Sequence, residues 1–535
     1  MKRGYKKPLR PAEIRRQKFL KEYERKALEH LEQVILTEDL DQNLKVIGEV
    51  LGESGDVIIR HFKIGGKETY KAAIIFIDGL VDNTLVDEYV LAPLMSKLEQ
   101  FDEEEHTAEY MFSWLKDSAL HINDMGDTNK LSTFIDAVLS GDCGLLVDQV
   151  AYGYILNTRG WQQRGVEEPV TEAVIRGPRE GFTENLRTNT ALVRRRLKDP
   201  HLRVKQLKVG KRTNTDVNLM YIKGVANEDI VDEIERRIRN IDYDGILESG
   251  YIEQFIQDSS WSPFPQLQNT ERPDKVTANL LEGRVAIFVD GTPLVLIAPA
   301  IFVQFYQSPE DYYERFMAGT LIRFLRVLSL FIAIFLPSLY IAFSSYHPEM
   351  IPSRLVIAMA AGRSTVPFPS IVEAILMEVS IEILREASIR LPGLIGPTIG
   401  IVGALVIGEA AVSAGIVSPI MVIIVALTTI GSFATPSYSA AISFRMLRFP
   451  LMIAAAMFGL YGIMLVTIMI IIHLCSLKSF GVPYMAPFSP GRLRDMKDTV
   501  IRAPLYSMRT RPSSFKVGDE EKVKEELIEQ EDKGE

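Results

Sequence analysis

"RVAIFVDGTPLVLIAPAIFVQF", Arg284 to Phe305, decides how this chain divides. Its hydropathy alone would make it a membrane span. At its centre stand Asp290 and Gly291. Asp-Gly between two apolar runs rich in β-branched residues is a hairpin signal. We therefore read two strands here, not a helix. A soluble half then extends through the hairpin, and the apolar helices begin after it.

An earlier stretch has the same form. "GDCGLLVDQVAYGYIL", from Gly141, resembles "GRVAIFVDGTPLVLIA", from Gly283, with Asp148 against Asp290 at an offset of 142. Upstream of each hairpin a second pair matches at an offset of 145: "IRHFKIGGKETYKAAIIFIDGLVDNTLVDEY" from Ile59 and "VKQLKVGKRTNTDVNLMYIKGVANEDIVDEI" from Val204. Lys63, Gly65 and Gly79 fall on Lys208, Gly210 and Gly224. Each copy reads strand, turn, strand, then a helix opening near Asn83 or Asn227. The spacing predicts two related α/β lobes in tandem. Two copies are too few for a solenoid.

The chain has 535 residues, 24% of them charged and 47% hydrophobic, with a net charge of −9. The average conceals a split. Charges are dense before about Glu310, whereas long runs between Leu321 and Cys475 carry none. A mildly acidic total argues against nucleic acid as a partner. The cysteines, Cys143 and Cys475, are too few for a disulfide framework or a zinc site. They suit a reducing environment. The basic start, "MKRGYKKPLRPAEIRRQKFLKEYERK", has no apolar core behind it and does not read as a signal peptide. It reads as a solvated arm or as one drawn to anionic headgroups of membrane lipids.

Four segments read as membrane spans: Val327 to Phe343, Gly393 to Ala411, Ile416 to Ala434 and Phe449 to Cys475. Arg323 and Arg326 before the first favour a cytoplasmic start. Four spans keep both termini on that side, although "FRMLRF", Phe444 to Phe449, then lies outside against the positive-inside tendency. The expected fold class is an α/β soluble N-terminal half plus an all-α multi-span membrane domain. The expected organisation is a basic arm (1–35), a first lobe (36–157), a linker (158–171), a second lobe (172–319), a membrane domain with one charged amphipathic helix (320–475) and a tail, acidic at its end (476–535).

The charged helix is "EAILMEVSIEILREASIRLP", Glu373 to Pro392. Glu378, Glu382 and Glu386 fall within about 80° of one another on a helical wheel. Val372, Leu376, Val379 and Ile383 border them as an apolar face. A charge at the bilayer centre costs about 2.5–3.5 kcal/mol on insertion scales, so a lipid-exposed stripe is excluded. Three placements remain open. The stripe meets interfacial water. It is buried between subunits, with Glu382–Arg385 and Glu386–Arg390 paired along the helix. Or it faces a water-filled vestibule of a cation path. The next segment, "IGIVGALVIGEAA", is the better candidate for a pore wall. Val402, Leu405 and Val406 would form an apolar constriction and Glu409 would sit a turn away. Ordinary packing of small residues explains its glycines equally well.

Enzyme motifs are absent. "IGGKETY" lacks the spacing that wraps a phosphate, and there is no G-x-G-x-x-G after a strand, no H-E-x-x-H and no nucleophile elbow. No catalytic residue, cofactor or metal site is expected. His473, in an apolar helix, reads as a packed residue or an end-of-span group.

Three long stretches carry a family likeness. They run from Phe264 to Phe316, from Phe368 to Pro392 ("FPSIVEAILMEVSIEILREASIRLP") and from Ile442 to Gly462 ("ISFRMLRFPLMIAAAMFGLYG"). They resemble the A subunits of the GerA family of bacterial spore germinant receptors. The resemblance implies a protein of the spore inner membrane with its N-terminal half on the core side. It implies a transporter-like B subunit that binds the germinant and a lipoprotein C subunit as partners. It also implies a homo-oligomer, plausibly a pentamer, forming a ligand-gated cation channel. The competing reading is a non-conducting membrane scaffold that relays the germinant signal. A secondary transporter is weaker, because the membrane region shows no paired inverted repeat.

Overall fold

The computed structural model describes residues 34–64, 70–96, 125–160, 168–169, 172–389, 403, 406–492 and 494–522. The basic arm lies outside them, as do Val402 and Leu405 of the expected constriction.

The first lobe opens with α1 (Leu40–Leu51), β1 (Val57–Ile64) and β2 (Tyr70–Ile77), followed by a helical segment from residue 83. It closes with β3 (Met125–Thr128), α2 (Leu131–Leu139), β4 (Cys143–Val147) and β5 (Gly153–Leu156). The second lobe comprises α3 (Leu186–Arg196), β6 (Leu202–Val209), β7 (Thr215–Ile222), α4 (Glu228–Arg239), α5 (Ser249–Ile256), β8 (Gln268–Thr270), α6 (Pro273–Leu281), β9 (Val285–Val289) and β10 (Val295–Ala298). The sheets run β1-β2-β4-β5-β3 and β6-β7-β9-β10-β8, antiparallel throughout. The two orders are identical. In the central strands the side chains on both faces are buried, because helices cover the sheets.

The opening stretch forms β9 and β10, and Gly291 turns between them at φ 87°. Gln149 takes the matching position in the first lobe at φ 69°, a left-handed backbone that an L side chain adopts only at a cost. The hairpin aspartates have a shared task. Asp148 Oδ1 accepts from the amide of Leu40 at 3.3 Å, and Asp290 Oδ1 accepts from the amide of Leu186 at 3.2 Å. Each satisfies an orphan donor at the start of its lobe's first helix. Beside them, Asn43 holds the backbone of Thr37 at 2.9 and 2.7 Å, and Asn189 holds that of Thr183 at 2.7 and 2.6 Å. Asn227 caps α4 as read from the sequence, but in the first lobe the cap is Asp82, whose Oδ1 accepts from Thr84.

Arg194 joins the lobes. Its guanidinium grips Asp56 at 2.7 and 2.9 Å and reaches Ser54 Oγ at 3.1 Å, with both charged side chains buried. The amide of Gly55 donates to Val204 O at 2.8 Å alongside.

On α5, burial and the neighbouring Glu248 push the Glu253 carboxyl from the ordinary 4.5 up to about 7. Between these values the folded chain holds a proton that the unfolded chain has released. Stability therefore falls as pH rises from about 4.5 and is lowest above 7, a loss of about 3 kcal/mol. Glu253→Gln is expected to remove the decline. Hydrogen exchange of the β6 amides across pH in the full chain, corrected for intrinsic rates, measures it.

The helical half comprises α7 (Phe316–Ser345), α8 (Ser353–Arg363), α9 (Ser370–Ile389), a helical stretch at 406–413, α10 (Pro419–Phe433) and α11 (Tyr438–Ser476). Among the described residues two helices, α7 and α11, are long and apolar enough to cross a membrane, and α10 is apolar but shorter. The expected span Gly393–Ala411 falls mostly outside the described residues.

The expected span Phe449–Cys475 is not one straight helix. Phe444 and His473 are 29 positions apart, about 43 Å along a continuous helix. Yet both rings lie against Phe264, at 6.5 and 6.0 Å. The helix reverses at Gly459, with φ 59° and ψ −139°. A side chain there would strike the Tyr346 ring and His347, because the end of α7 fills the reversal. Both arms thus return to the second lobe. Ser443 Oγ donates to Pro263 O, and Ser262 Oγ lies 3.0 Å from His473 Nε2.

Beyond α11 the chain forms a strap rather than a free tail, up to residue 522. The short strands β11 (Lys478–Ser479) and β12 (Val482–Pro483) open it. Phe480, Val482, Ala486, Phe515 and Val517 enter the core of the second lobe.

Candidate functional site: buried charges of the helical half

The charged helix of the sequence is α9, and it is amphipathic with its polar side inward. Val372, Leu376, Val379 and Ile383 are exposed at 39, 38, 42 and 65%. Glu373 and Glu378 are buried at 0 and 1%. A helix with its carboxylates inside and its aliphatic face outside is the reverse of a soluble surface helix.

Three of the carboxylates, Glu373, Glu378 and Glu382, have a partner on another helix. Glu373 Oε1 accepts from Arg363 Nε at 3.2 Å, and its Oε2 accepts from the amide of Ser418 at 2.9 Å. It thereby caps the start of α10 beside the N-cap Ser418. Glu378 pairs with Arg448, which lies 70 positions away on α11. Glu382 pairs with Arg385 at 2.8 Å, as the spacing predicts, and lies 3.6 Å from Arg445. Arg385 stacks over Phe433 at 4.9 Å and reaches Ser432 Oγ at 3.3 Å. Glu386 stands at the exposed edge of the stripe.

Arg448 has a second duty. Pro337 interrupts α7 and, having no N–H, leaves the carbonyl of Ala333 without its helical donor. Arg448 Nε supplies one at 2.8 Å. One guanidinium thus ties the proline break of α7 to the carboxylate of α9. The sequence signal for it was "FRMLRF", whose two arginines looked misplaced among apolar residues. They pair inside the bundle with the glutamates that looked equally misplaced.

The expected pore segment is described only in part. A Cβ on Gly403 would lie 2.6 Å from Leu384, and one on Gly408 would lie 3.4 Å from Val422. The glycines therefore set this segment close against α9 and α10. Val406 is 56% exposed, and Glu409 is exposed one turn before the helical stretch ends. Glu409 and the inward stripe of α9 are not brought together by these contacts.

A second charged cluster sits where the second lobe meets α7. Arg323 is fully buried on α7. It donates to Asp311 Oδ2 at 3.1 Å and to Asp498 Oδ1 at 2.8 Å. Arg326 donates to Asp311 Oδ1 at 2.6 Å, and the Tyr312 hydroxyl to Asp498 Oδ2 at 2.6 Å. Burial pushes the Asp498 carboxyl above its ordinary value, against the pull of Arg323, and the Tyr312 hydroxyl well above its own. Arg323 and Arg326, read as a positive flank, are thus engaged by carboxylates of the lobe and strap. No group of metal-binding side chains occurs among the described residues.

The family described as "Bacillus/Clostridium GerA spore germination protein" matches residues 45–514. Spore germination protein KA of Bacillus subtilis (strain 168) is 47% identical over 492 residues, which is 92% of this chain and 89% of that protein. The uncharacterized membrane protein YfkQ of the same organism is 46% identical over 498 residues, 93% of this chain and 95% of that one. Spore germination protein GerLA of Bacillus cereus is 45% identical over 481 residues, 90% and 96% of the two chains. Among solved structures, the crystal structure of the N-terminal domain of the A subunit of the Bacillus megaterium spore germinant receptor GerK3 matches with 41% identity and a TM-score of 0.39. The match covers 51% of this chain and 98% of that one.

Proposed function

This chain belongs to the GerA family of spore germination proteins, and from that premise we propose that it is a germinant-receptor A subunit whose helical half, in an oligomer, lines a gated cation path. Its site would be the inner membrane of the spore, with the α/β lobes on the core side. Its partners would be a transporter-like B subunit that binds the germinant and a lipoprotein C subunit. The membrane placement is supported by the outward aliphatic face of α9, by the lengths of α7 and α11 and by the likeness to the membrane protein YfkQ. Because α7 leaves the second lobe and α11 returns to it, the chain from the start of α7 to the end of α11 would cross any bilayer an even number of times in total.

The observation that carries the conducting reading is Glu409, exposed on a segment where its exposed neighbours Val406 and Ala410 are apolar. A carboxylate facing lipid would cost about 2.5–3.5 kcal/mol, so this face meets water or a second copy. A ring of copies would place carboxylates and an apolar constriction of Val402, Leu405 and Val406 around one axis. Glu378 and Glu382 are committed to arginines and serve the packing of the wall, with Glu386 at its edge.

The test is ion flux through the full receptor complex in liposomes. Val406→Ala is expected to raise the basal cation leak several-fold by widening the constriction, and Glu409→Gln to lower the preference for cations over anions. An intact complex that conducts nothing would favour the scaffold reading.

A further inference from the structure

Trp261 is 99% exposed, yet its loop is tied down on both sides of it. Before it, the Ser259 amide donates to Gln266 Oε1 at 2.9 Å, and Asp258 Oδ2 accepts from the amide of Phe480 at 2.6 Å. After it, Ser262 Oγ meets His473 in the last turn of α11. The indole is thus held in the open where α11 re-enters the second lobe.

Other exposed rings stand nearby. Ile256, the last residue of α5, accepts through its carbonyl from Arg237 at 2.5 Å, and the Arg237 guanidinium lies 4.7 Å over the ring of Phe480, just past α11. One residue before Ile256, Phe255 is exposed, as is Tyr251 one turn back. Both rings lie against exposed Tyr243, at 5.5 and 6.3 Å. Exposed aromatic side chains gathered in one place mark a binding face.

The root of α7 has the same character. Thr320 Oγ1 donates to Arg502 O of the strap at 3.2 Å and accepts from the Arg502 amide at 3.3 Å. Ile501, next in the chain, is exposed, and so are Met317 and Leu321 of α7. Both points at which an apolar helix meets the lobe therefore carry exposed apolar side chains.

We propose that these residues form a collar that seats the second lobe on the bilayer surface, with Trp261 and Ile501 in the interfacial layer of the lipids. The inference rests on α7 and α11 crossing a bilayer. Its occupant follows from position, because the headgroup layer begins where an apolar helix leaves the lobe. Tryptophan and tyrosine suit that layer, having an apolar ring with one polar edge. Charges on the neighbouring loops are matched: Arg237 with Asp258 at 2.7 Å, Lys211 with Asp242, and Arg212 with Asp244 at 3.6 Å. The contact is therefore apolar rather than a polybasic attraction to anionic lipid. With an anchor beside each helix, a tilt of the second lobe must draw one anchor out of the lipid or carry α7 and α11 with it.

The test uses the full chain in phosphatidylcholine liposomes. The signal of Trp261 is the difference in emission between the full chain and Trp261→Phe, a change at a side chain too exposed to matter for folding. Lipids brominated near the headgroup are expected to quench this signal at least about threefold more than lipids brominated near the chain end, and about 1 M salt should leave the quenching unchanged. Ile501→Trp, made in the Trp261→Phe chain, should show the same preference at the second anchor. Retention of the chain on the liposomes in alkaline carbonate reports the membrane reading separately. A chain that carbonate strips off overturns that reading and the collar with it. A retained chain whose Trp261 is quenched by aqueous iodide and by neither bromolipid overturns the collar alone. So does a Trp261 shielded from iodide and from both bromolipids, since protein then covers it. Quenching that salt abolishes overturns the apolar contact.

Discussion

Replacing Arg448 with leucine should cost the helical half about 3–5 kcal/mol, the penalty of leaving one partner of a buried ion pair uncompensated. Two groups lose their partner at once. Glu378, 1% exposed, keeps a charge with no counterion, and Ala333 O loses the donor that replaced its missing helical bond. The expected readout is a large drop in the thermal midpoint of the purified full-length protein, or its failure to accumulate. The double variant Glu378→Leu with Arg448→Leu separates the two effects. An apolar pair of similar size is often no worse than a buried ion pair, so most of the loss should return. What does not return measures the orphaned carbonyl of the proline break, about 1–3 kcal/mol. If the double variant is no more stable than Arg448→Leu alone, the ion pair is not the source of the cost.

A loss of the same size is expected in the α/β half from Arg194→Leu. Asp56 would keep only the Ser54 hydroxyl, at 2.6 Å, in a site from which water is excluded. The cost is again about 3–5 kcal/mol, but it falls on the docking of two lobes that each have a core of their own. The lobes should therefore separate without unfolding. Hydrogen exchange at the Gly55 amide, which bonds to Val204 O, should accelerate, while that of β2 and β7 should not. Protease sensitivity in the connection before Leu186 should rise in parallel. Faster exchange throughout both sheets would mean that Arg194 supports the folds themselves.

The duplicated lobes were legible because their most constrained positions are turn residues and caps. Asp148 and Asp290 align in sequence, and in space each closes the start of a helix. The same logic makes Thr37–Asn43 and Thr183–Asn189 a readable pair in hindsight, since a threonine and an asparagine six positions apart recur at the same spacing. Inward charge on α9 was half legible. The wheel put the glutamates on one face, and the intrahelical pair Glu382–Arg385 followed from spacing. Which side faced inward depended on Arg448, whose partner is 70 positions away, and local periodicity carries no such information. The reversal at Gly459 was not legible for another reason. In an apolar run a turn without polar residues leaves no mark on a hydropathy profile, and glycine is common in membrane helices. The strap was hidden because it has almost no regular period. Of the expected pore segment, Val406 and Glu409 are exposed.

The strap also fixes an order of assembly. Phe515 and Val517 belong to the core that β6, β7 and β9 begin, yet they are made more than two hundred positions after those strands. While the chain is being synthesised, the second lobe has all its strands and still lacks part of its interior. Its last contacts have very high sequence separation, the kind that forms late and slowly. The lobe can close only after α7 to α11 have been made and the doubled α11 has brought the chain back. Completion of the soluble half thus reports that the helical half has been threaded in full, and a chain that stops short at Ser476 carries an open core that quality control can recognise.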